Sequence, residues 1–228
     1  MFSSALDAWD DDLILQAFNR NLILSPEIYG NPFLLNDDAL SRLARIYNIH
    51  RLYNNILVKG IILPEEQYGK FAVSRGDQSI RLITLRNLSW HPVQVPVKLD
   101  ESIGLSSSGD VEVLQYHPTE RFLGRYKRGE TINVTVDPFR ACLIKVSAQP
   151  NPETLLQGVN YQVKKYLPDH PVVFDILGTA GETVRFTVSG NDRQFKKAKL
   201  NGKALPGLIK GKQVSYTFPR IKKDVQGV

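Results

Sequence analysis

Between Ile56 and Ser147 the chain is cut into short runs of four to nine residues, each rich in β-branched and aromatic types and each ended by turn formers. The runs are Ile56–Leu63, Phe71–Ser74, Ile80–Leu88, Val93–Leu99, Val111–Tyr116, Arg121–Tyr126, Thr131–Val136 and Ala141–Val146. No run is long enough for a helix of ordinary length, and the spacing predicts an antiparallel β-sandwich. Val93, Val95, Val97 and Leu99 alternate with Gln94, Pro96 and Lys98, so one face of that strand is apolar and the other polar. Pro96 cannot donate to a ladder and pushes the strand toward a sheet edge. Arg75-Gly76-Asp77-Gln78 separates two runs and reads as a hairpin connection, with Gly76 free to take positive φ.

The flanks read differently. Ala5–Phe18 and Asp37–Tyr53 are helical in pattern. In the second, Leu40, Leu43, Ala44 and Tyr47, followed by His50 and Arg51, set the expected apolar stripe. Asn36, Asp37 and Asp38 supply cap and dipole complement at its start. Asn21–Leu24, ahead of Ser25-Pro26, fits a short buried strand. Gln149-Pro150-Asn151-Pro152 fits a linker, and beyond it Val172–Leu177, Thr183–Ser189, Lys197–Leu200 and Val214–Phe218 are strand-like, with Asn201-Gly202 a hairpin signal. The expected organisation is a helical segment at 1–55, an antiparallel sandwich at 56–148 and a smaller basic β module at 149–228. The fold class is therefore mainly β with an N-terminal helical segment.

Charge supports the second boundary. The net charge of +6 divides into 16 basic against 17 acidic residues up to Pro150, and 13 against 6 beyond it. The excess surrounds one hairpin and the tail, from Lys196 to Lys223, with few rings interleaved for base stacking, so it reads as protection of sheet edges and not as a nucleic-acid surface. A 42% hydrophobic content excludes global disorder, and a single cysteine excludes an internal disulfide framework. No apolar run reaches the roughly 20 residues that span a bilayer, and the first residues lack signal-peptide character.

Three segments together carry a resemblance. Asn21–Leu24, the loop Ser25-Pro26-Glu27-Ile28-Tyr29-Gly30-Asn31 and the helix Asp37–Tyr53 resemble the last strand, loop and helix of a (β/α)8 glycoside hydrolase. The strand Ile80–Asn87, the stretch Leu99–Leu105 and the hairpin Thr131–Val146 through Asp137-Pro138-Phe139 are similar to the C-terminal sandwich of α-galactosidase-like and α-amylase-like enzymes. The resemblance is one of element order and covers about residues 20–147. It implies a C-terminal portion that supports a barrel or substrate cleft, with the missing N-terminal barrel of the same polypeptide as partner and carbohydrate as ligand. It also implies that the chain does not hydrolyse a glycoside alone, because the strands bearing two suitably separated carboxyls are absent. In such a barrel Glu27 and Tyr29 lie at the C-terminal face and would touch substrate.

Residue chemistry adds a rival class, a free-standing carbohydrate-binding or adhesion module. A pyranose stacks on an aromatic ring, and Trp90, Tyr116 and Tyr126 are the candidates, with Tyr68 behind them; the competing reading is that all are core aromatics at strand ends. The two classes differ at Ile23, Leu24 and Ile28, which a barrel remnant leaves uncovered and a module buries. Asp10-Asp11-Asp12 reads as a solvated helix face, since neighbouring side chains diverge by about 100°. His91 and His117, each in an aromatic-His-Pro triplet, are short of a zinc ligand set. Cys142 sits in an apolar strand and reads as packing. No metal or cofactor is expected.

Overall fold

A computed structural model describes residues 9–19, 35–190 and 195–220. Glu27, Tyr29, Ile23, Leu24, Ile28 and the expected strand at Asn21–Leu24 lie outside them. Two helices come first, α1 (Trp9–Asn19) and α2 (Asp37–Tyr53). The strands that follow are β1 (Gly60–Ile62), β2 (Val73–Gly76), β3 (Ile80–Arg86), β4 (Val93–Lys98), β5 (Asp110–His117), β6 (Arg121–Lys127), β7 (Thr131–Val136) and β8 (Ala141–Ser147). The last part holds β9 (Leu155–Gln157), β10 (Asn160–Lys165), β11 (Val173–Leu177), β12 (Thr183–Ser189), β13 (Lys199–Leu200), β14 (Lys203–Ala204) and β15 (Val214–Thr217).

The centre is a six-stranded antiparallel sheet in the order β1-β2-β3-β8-β5-β6. One face packs Ile83, Leu85, Val113, Cys142 and Ile144 against Val95 and Val97 of β4 and Val134 of β7, which pair as a separate antiparallel ribbon. The alternation read in Val93–Leu99 is the alternation of burial along β4, and Pro96 lies on this two-stranded ribbon, where every strand is an edge. The opposite face packs Leu82, Leu114, Tyr116 and Leu143 against α1 and α2. β3 and β8 are thus covered on both sides, so burial is continuous along them and takes in even Arg81, Thr84 and Lys145. The β2–β3 turn requires glycine at Gly76, where φ is +142° and an added Cβ would stand 2.0 Å from the Ile80 carbonyl oxygen.

α2 starts where its sequence directs, with Asn36 Oδ1 accepting the Ala39 N–H at 2.8 Å. Its inward face differs from the expected stripe. Ala39, Ile46, Ile49, His50 and Tyr53 are buried, while Leu40 and Ala44 face outward. The helix carries apolar residues on two sides, and the choice between them is made by Arg45, which faces the protein interior. Arg45 Nε and Nη2 donate to the two carboxylate oxygens of Glu120 at 2.7 and 2.9 Å, and Nη1 and Nη2 donate to those of Glu153 at 2.6 and 3.0 Å. Glu120 follows β5, and its backbone pairs in both directions with Tyr161 of β10. One guanidinium therefore ties α2, the central sheet and the C-terminal strands.

The hydrophobic cluster on the helix side follows the same three-way pattern, running from Phe18 and Ile49 through Leu143 to Tyr161 and Phe186. The C-terminal strands form an antiparallel ribbon β10–β11, a sheet β15-β12-β9 and the hairpin β13–β14. That hairpin turns on Asn201 and Gly202, both at positive φ.

Arg45→Met leaves two carboxylates buried without a counter-charge. The expected loss is about 3–5 kcal/mol at neutral pH by urea denaturation, partly restored when Glu120→Gln and Glu153→Gln are added. An equal loss in the single and triple variants would show that Arg45 stabilises by packing alone.

Candidate functional site

Chemistry-bearing side chains gather in three places, and accessibility separates them. The first is the seam between α1 and the end of the central sheet. Asp10 and Asp11, expected on a solvated face, are both buried. Asp10 meets Arg42 Nη1 at 3.1 Å and Arg140 Nη2 at 3.5 Å. Asp11 meets Arg140 Nε at 3.0 Å, accepts the Ala141 N–H at 3.1 Å and contacts His117 Nε2. These acids face inward, where α2 offers the Arg42 guanidinium and the sheet end offers that of Arg140 and the Ala141 N–H, a pairing that local spacing in the sequence cannot reveal. Asp10, Asp11 and His117 place one ligand atom each within 4.8 Å of one another. Arg42 and Arg140 already balance the two carboxylates, so the donor set does not fit a cation. His117 pairs with Asp11, while His91 is exposed on the β3–β4 loop. The cavity beside this seam is about 120 Å³, well below the roughly 300 Å³ at which small-molecule pockets begin.

The second place is the interior beneath α2. Lys145 of β8 is 1% exposed. Its ammonium donates to Tyr53 Oη at 3.3 Å and to Asn151 Oδ1, and it lies 5.7 Å from the Tyr53 ring centre. The hydroxyls of Tyr53 and Tyr116 meet at 3.2 Å, and Arg45 covers the Tyr116 ring at 5.6 Å. Burial pulls Lys145 down from 10.5 to about 8, although Glu153 and Glu112 favour its charge. Burial pushes Tyr53 from 10.0 to about 12. Burial also opposes the Arg45 charge, but Glu120 and Glu153 outweigh it and hold that guanidinium protonated. Glu120 and Glu153 are fully engaged by Arg45, so neither is free for acid–base work on a glycoside. Tyr116, a sugar-stacking candidate, belongs to this interior: it is buried and presents no free ring face to solvent.

The third place is open to solvent. Trp90, on the β3–β4 loop, is 81% exposed and meets Phe139 of the β7–β8 turn edge-to-face, with ring centres 4.7 Å apart and planes at 83°. Phe139 sits at φ +54°, a conformation costly for a bulky residue and one that a rigid surround must hold. Asn87 supplies that surround. Its Nδ2 donates to the carbonyls of His91 at 2.7 Å and Val136 at 3.0 Å, its Oδ1 accepts the Ser89 N–H at 2.8 Å, and its backbone N–H donates to Arg140 at 3.0 Å. The two turns are fastened together and lift two rings into water. Tyr126 lies elsewhere, half-buried on β6 with its hydroxyl donating to the Leu123 carbonyl at 2.9 Å, and Tyr68 is buried. The candidates are therefore not gathered into one groove. The partner of Trp90 is Phe139, which the sequence reading did not single out.

Two smaller sequence features resolve as structure. Arg75, of the Arg-Gly-Asp tripeptide, is buried and donates to the carbonyls of Asn19 and Leu57. Cys142 is buried, and burial pushes its thiol to about 12, which keeps it inert. No described helix is long and apolar enough to cross a membrane.

Solved structures similar to part of this chain are glycoside hydrolases. A Bacillus halodurans protein described as an α-N-acetylgalactosaminidase overlaps with a TM-score of 0.44 and 19% identity, over 62% of this chain and 31% of its own. A family 27 β-L-arabinopyranosidase from Geobacillus stearothermophilus, solved with arabinose, gives 0.43 and 17%, over 62% and 31%. α-Galactosidase I of Mortierella vinacea gives 0.39 and 14%, over 59% and 33%. The chain thus spans about a third of each of these proteins. No protein-family model and no curated protein matches the sequence.

The burial of Lys145 sets a pH dependence of stability. The folded state releases this proton near pH 8 and the unfolded chain near 10.5, so between pH 8 and 10 the unfolded state binds more protons. Stability should rise across that window, by about 1.4 kcal/mol per pH unit from this group. Lys145→Met should flatten the rise in denaturant titrations at pH 8, 9 and 10, and an unchanged slope would remove Lys145 as its source.

Proposed function

We propose that this chain is the non-catalytic C-terminal β-sandwich portion of a glycoside hydrolase-like carbohydrate-active enzyme, packed against a barrel of the same polypeptide and supporting its substrate cleft. The observation that carries this reading is an uncovered apolar edge. β1 is the outermost strand of the central sheet, and Val58, Ile61, Ile62 and Phe71 along it are exposed, Ile62 by 82%. An edge strand normally carries charges or proline that discourage pairing, and this one carries isoleucines. Asn19, the last residue of α1, donates from Nδ2 to the Phe71 carbonyl at 3.0 Å, so the end of α1 is fastened beside this edge. A covering body suits such a patch better than solvent does.

The reading requires a longer native polypeptide. Antibody detection and mass spectrometry in the source cell should find this sequence in a chain longer by the roughly 250 residues of a barrel. The isolated chain should show no hydrolysis of nitrophenyl glycosides. A native polypeptide of 228 residues, or turnover by the chain alone, would defeat the proposal.

One observation favours the alternative, a carbohydrate-binding module. Trp90 is 81% exposed and is braced edge-to-face by Phe139, so an aromatic ring stands in water where a pyranose could stack on its face. If this platform binds sugar, Trp90→Ala should weaken galactoside binding about tenfold in calorimetry without changing Tm. Equal affinity in the variant would assign the platform to protein packing.

A further inference from the structure

The C-terminal strands enclose a space that neither reading uses. Between the β10–β11 ribbon and the β15-β12-β9 sheet lies a cavity of about 860 Å³, within the roughly 300–1,000 Å³ range of small-molecule sites. Phe174 and Ile176 of β11, Phe186 and Val188 of β12, and Leu200 and Leu208 form much of its wall. Uncharged polar side chains are scarce among the described lining residues, which offer the hydroxyls of Thr154 and Ser189. A sugar, which needs several convergent hydrogen-bonding groups, is poorly served.

Charge among the described lining residues of this cavity is one-sided. Lys197 and Lys199 line it, and both are exposed. No aspartate or glutamate is among its described lining residues, and neither lysine has an ion-pair partner among the described residues. Lysine stems extend along apolar surface while the ammonium stays in water, so both cations are available at the cavity's edge. An apolar interior with an unbalanced cationic rim matches a molecule with a long hydrocarbon body and one negative end. We propose that this cavity binds a long-chain fatty acid, its chain between Phe174, Phe186 and Val188 and its carboxylate at Lys197 and Lys199. The proposal stands independently of the glycoside hydrolase reading, because it uses a different face and different residues.

Calorimetric titration of the whole chain with dodecanoate, below its micelle concentration, tests the proposal, with dodecanol as a neutral probe of the same length. The expected result is saturable binding of one dodecanoate. Lys197→Glu with Lys199→Glu should weaken dodecanoate about tenfold and leave dodecanol unchanged, since only the charged contact is reversed. Val188→Trp should fill the cavity and abolish binding of both. Should that variant fail to fold, intermolecular NOEs from dodecanoate methylenes to the methyl groups of Val188 and Ile176 in the unaltered chain make the same assignment. No saturable binding, equal dodecanoate affinity after charge reversal, binding that survives a folded Val188→Trp, or absence of those NOEs would each overturn it.

Discussion

Arg45 lies inside the protein with two carboxylates gripping its guanidinium, each by two hydrogen bonds, and a tyrosine ring beneath it. A buried charge of this kind is tolerated only when its partners are held in place, so the arrangement imposes conditions on everything around it. α2 must present Arg45 inward, which sends Leu40 and Ala44 out and Ile46 and Ile49 in. The turn after β5 must deliver Glu120, and the stretch after β8 must deliver Glu153. Three regions distant in sequence meet because one cation needs all of them, and the apolar cluster of Phe18, Ile49, Leu143 and Tyr161 closes around that meeting.

The β architecture was legible because it is written locally. Turn residues at regular spacing, the alternation in Val93–Leu99, the Asn36 cap and the Asn201-Gly202 turn each act within a few residues, and the elements follow them. Misreadings arose where a distant partner decides the outcome. Asp10 and Asp11 read as solvated because neighbouring side chains on a helix diverge, while their partners Arg42 and Arg140 approach from another helix and a hairpin. The inward face of α2 was legible in part: Leu43, Tyr47 and His50 of the expected stripe pack inward, while Leu40 and Ala44 are exposed. Asn151 sits in a proline-rich stretch that reads as linker, yet it is buried and accepts a hydrogen bond from Lys145. β9 and β10 lay close behind those prolines and were missed, because Leu155–Gln157 is too short to show a period.

The candidate sites sort by the same physics. At the α1 seam and beneath α2 the titratable groups are paired with one another, and their carboxylates are buried, so these networks hold the fold. Surfaces fit to meet another molecule are chemically plain: an isoleucine-bearing sheet edge, two rings on fastened turns, and an apolar cavity rimmed by lysine. Such a division suits a supporting module, whose task is to stay rigid while presenting surfaces.

That account requires the helices to belong to the same cooperative unit as the sheet. Native-state hydrogen exchange tests this directly, because it reports the free energy at which each amide opens. If the Arg45 clamp and the shared core bind them as described, amides of Ile46 and Ile49 in α2 should open at the same free energy as those of Leu143 and Ile144 in β8. Exchange of α2 through a separate opening several kcal/mol below that of the sheet would contradict it.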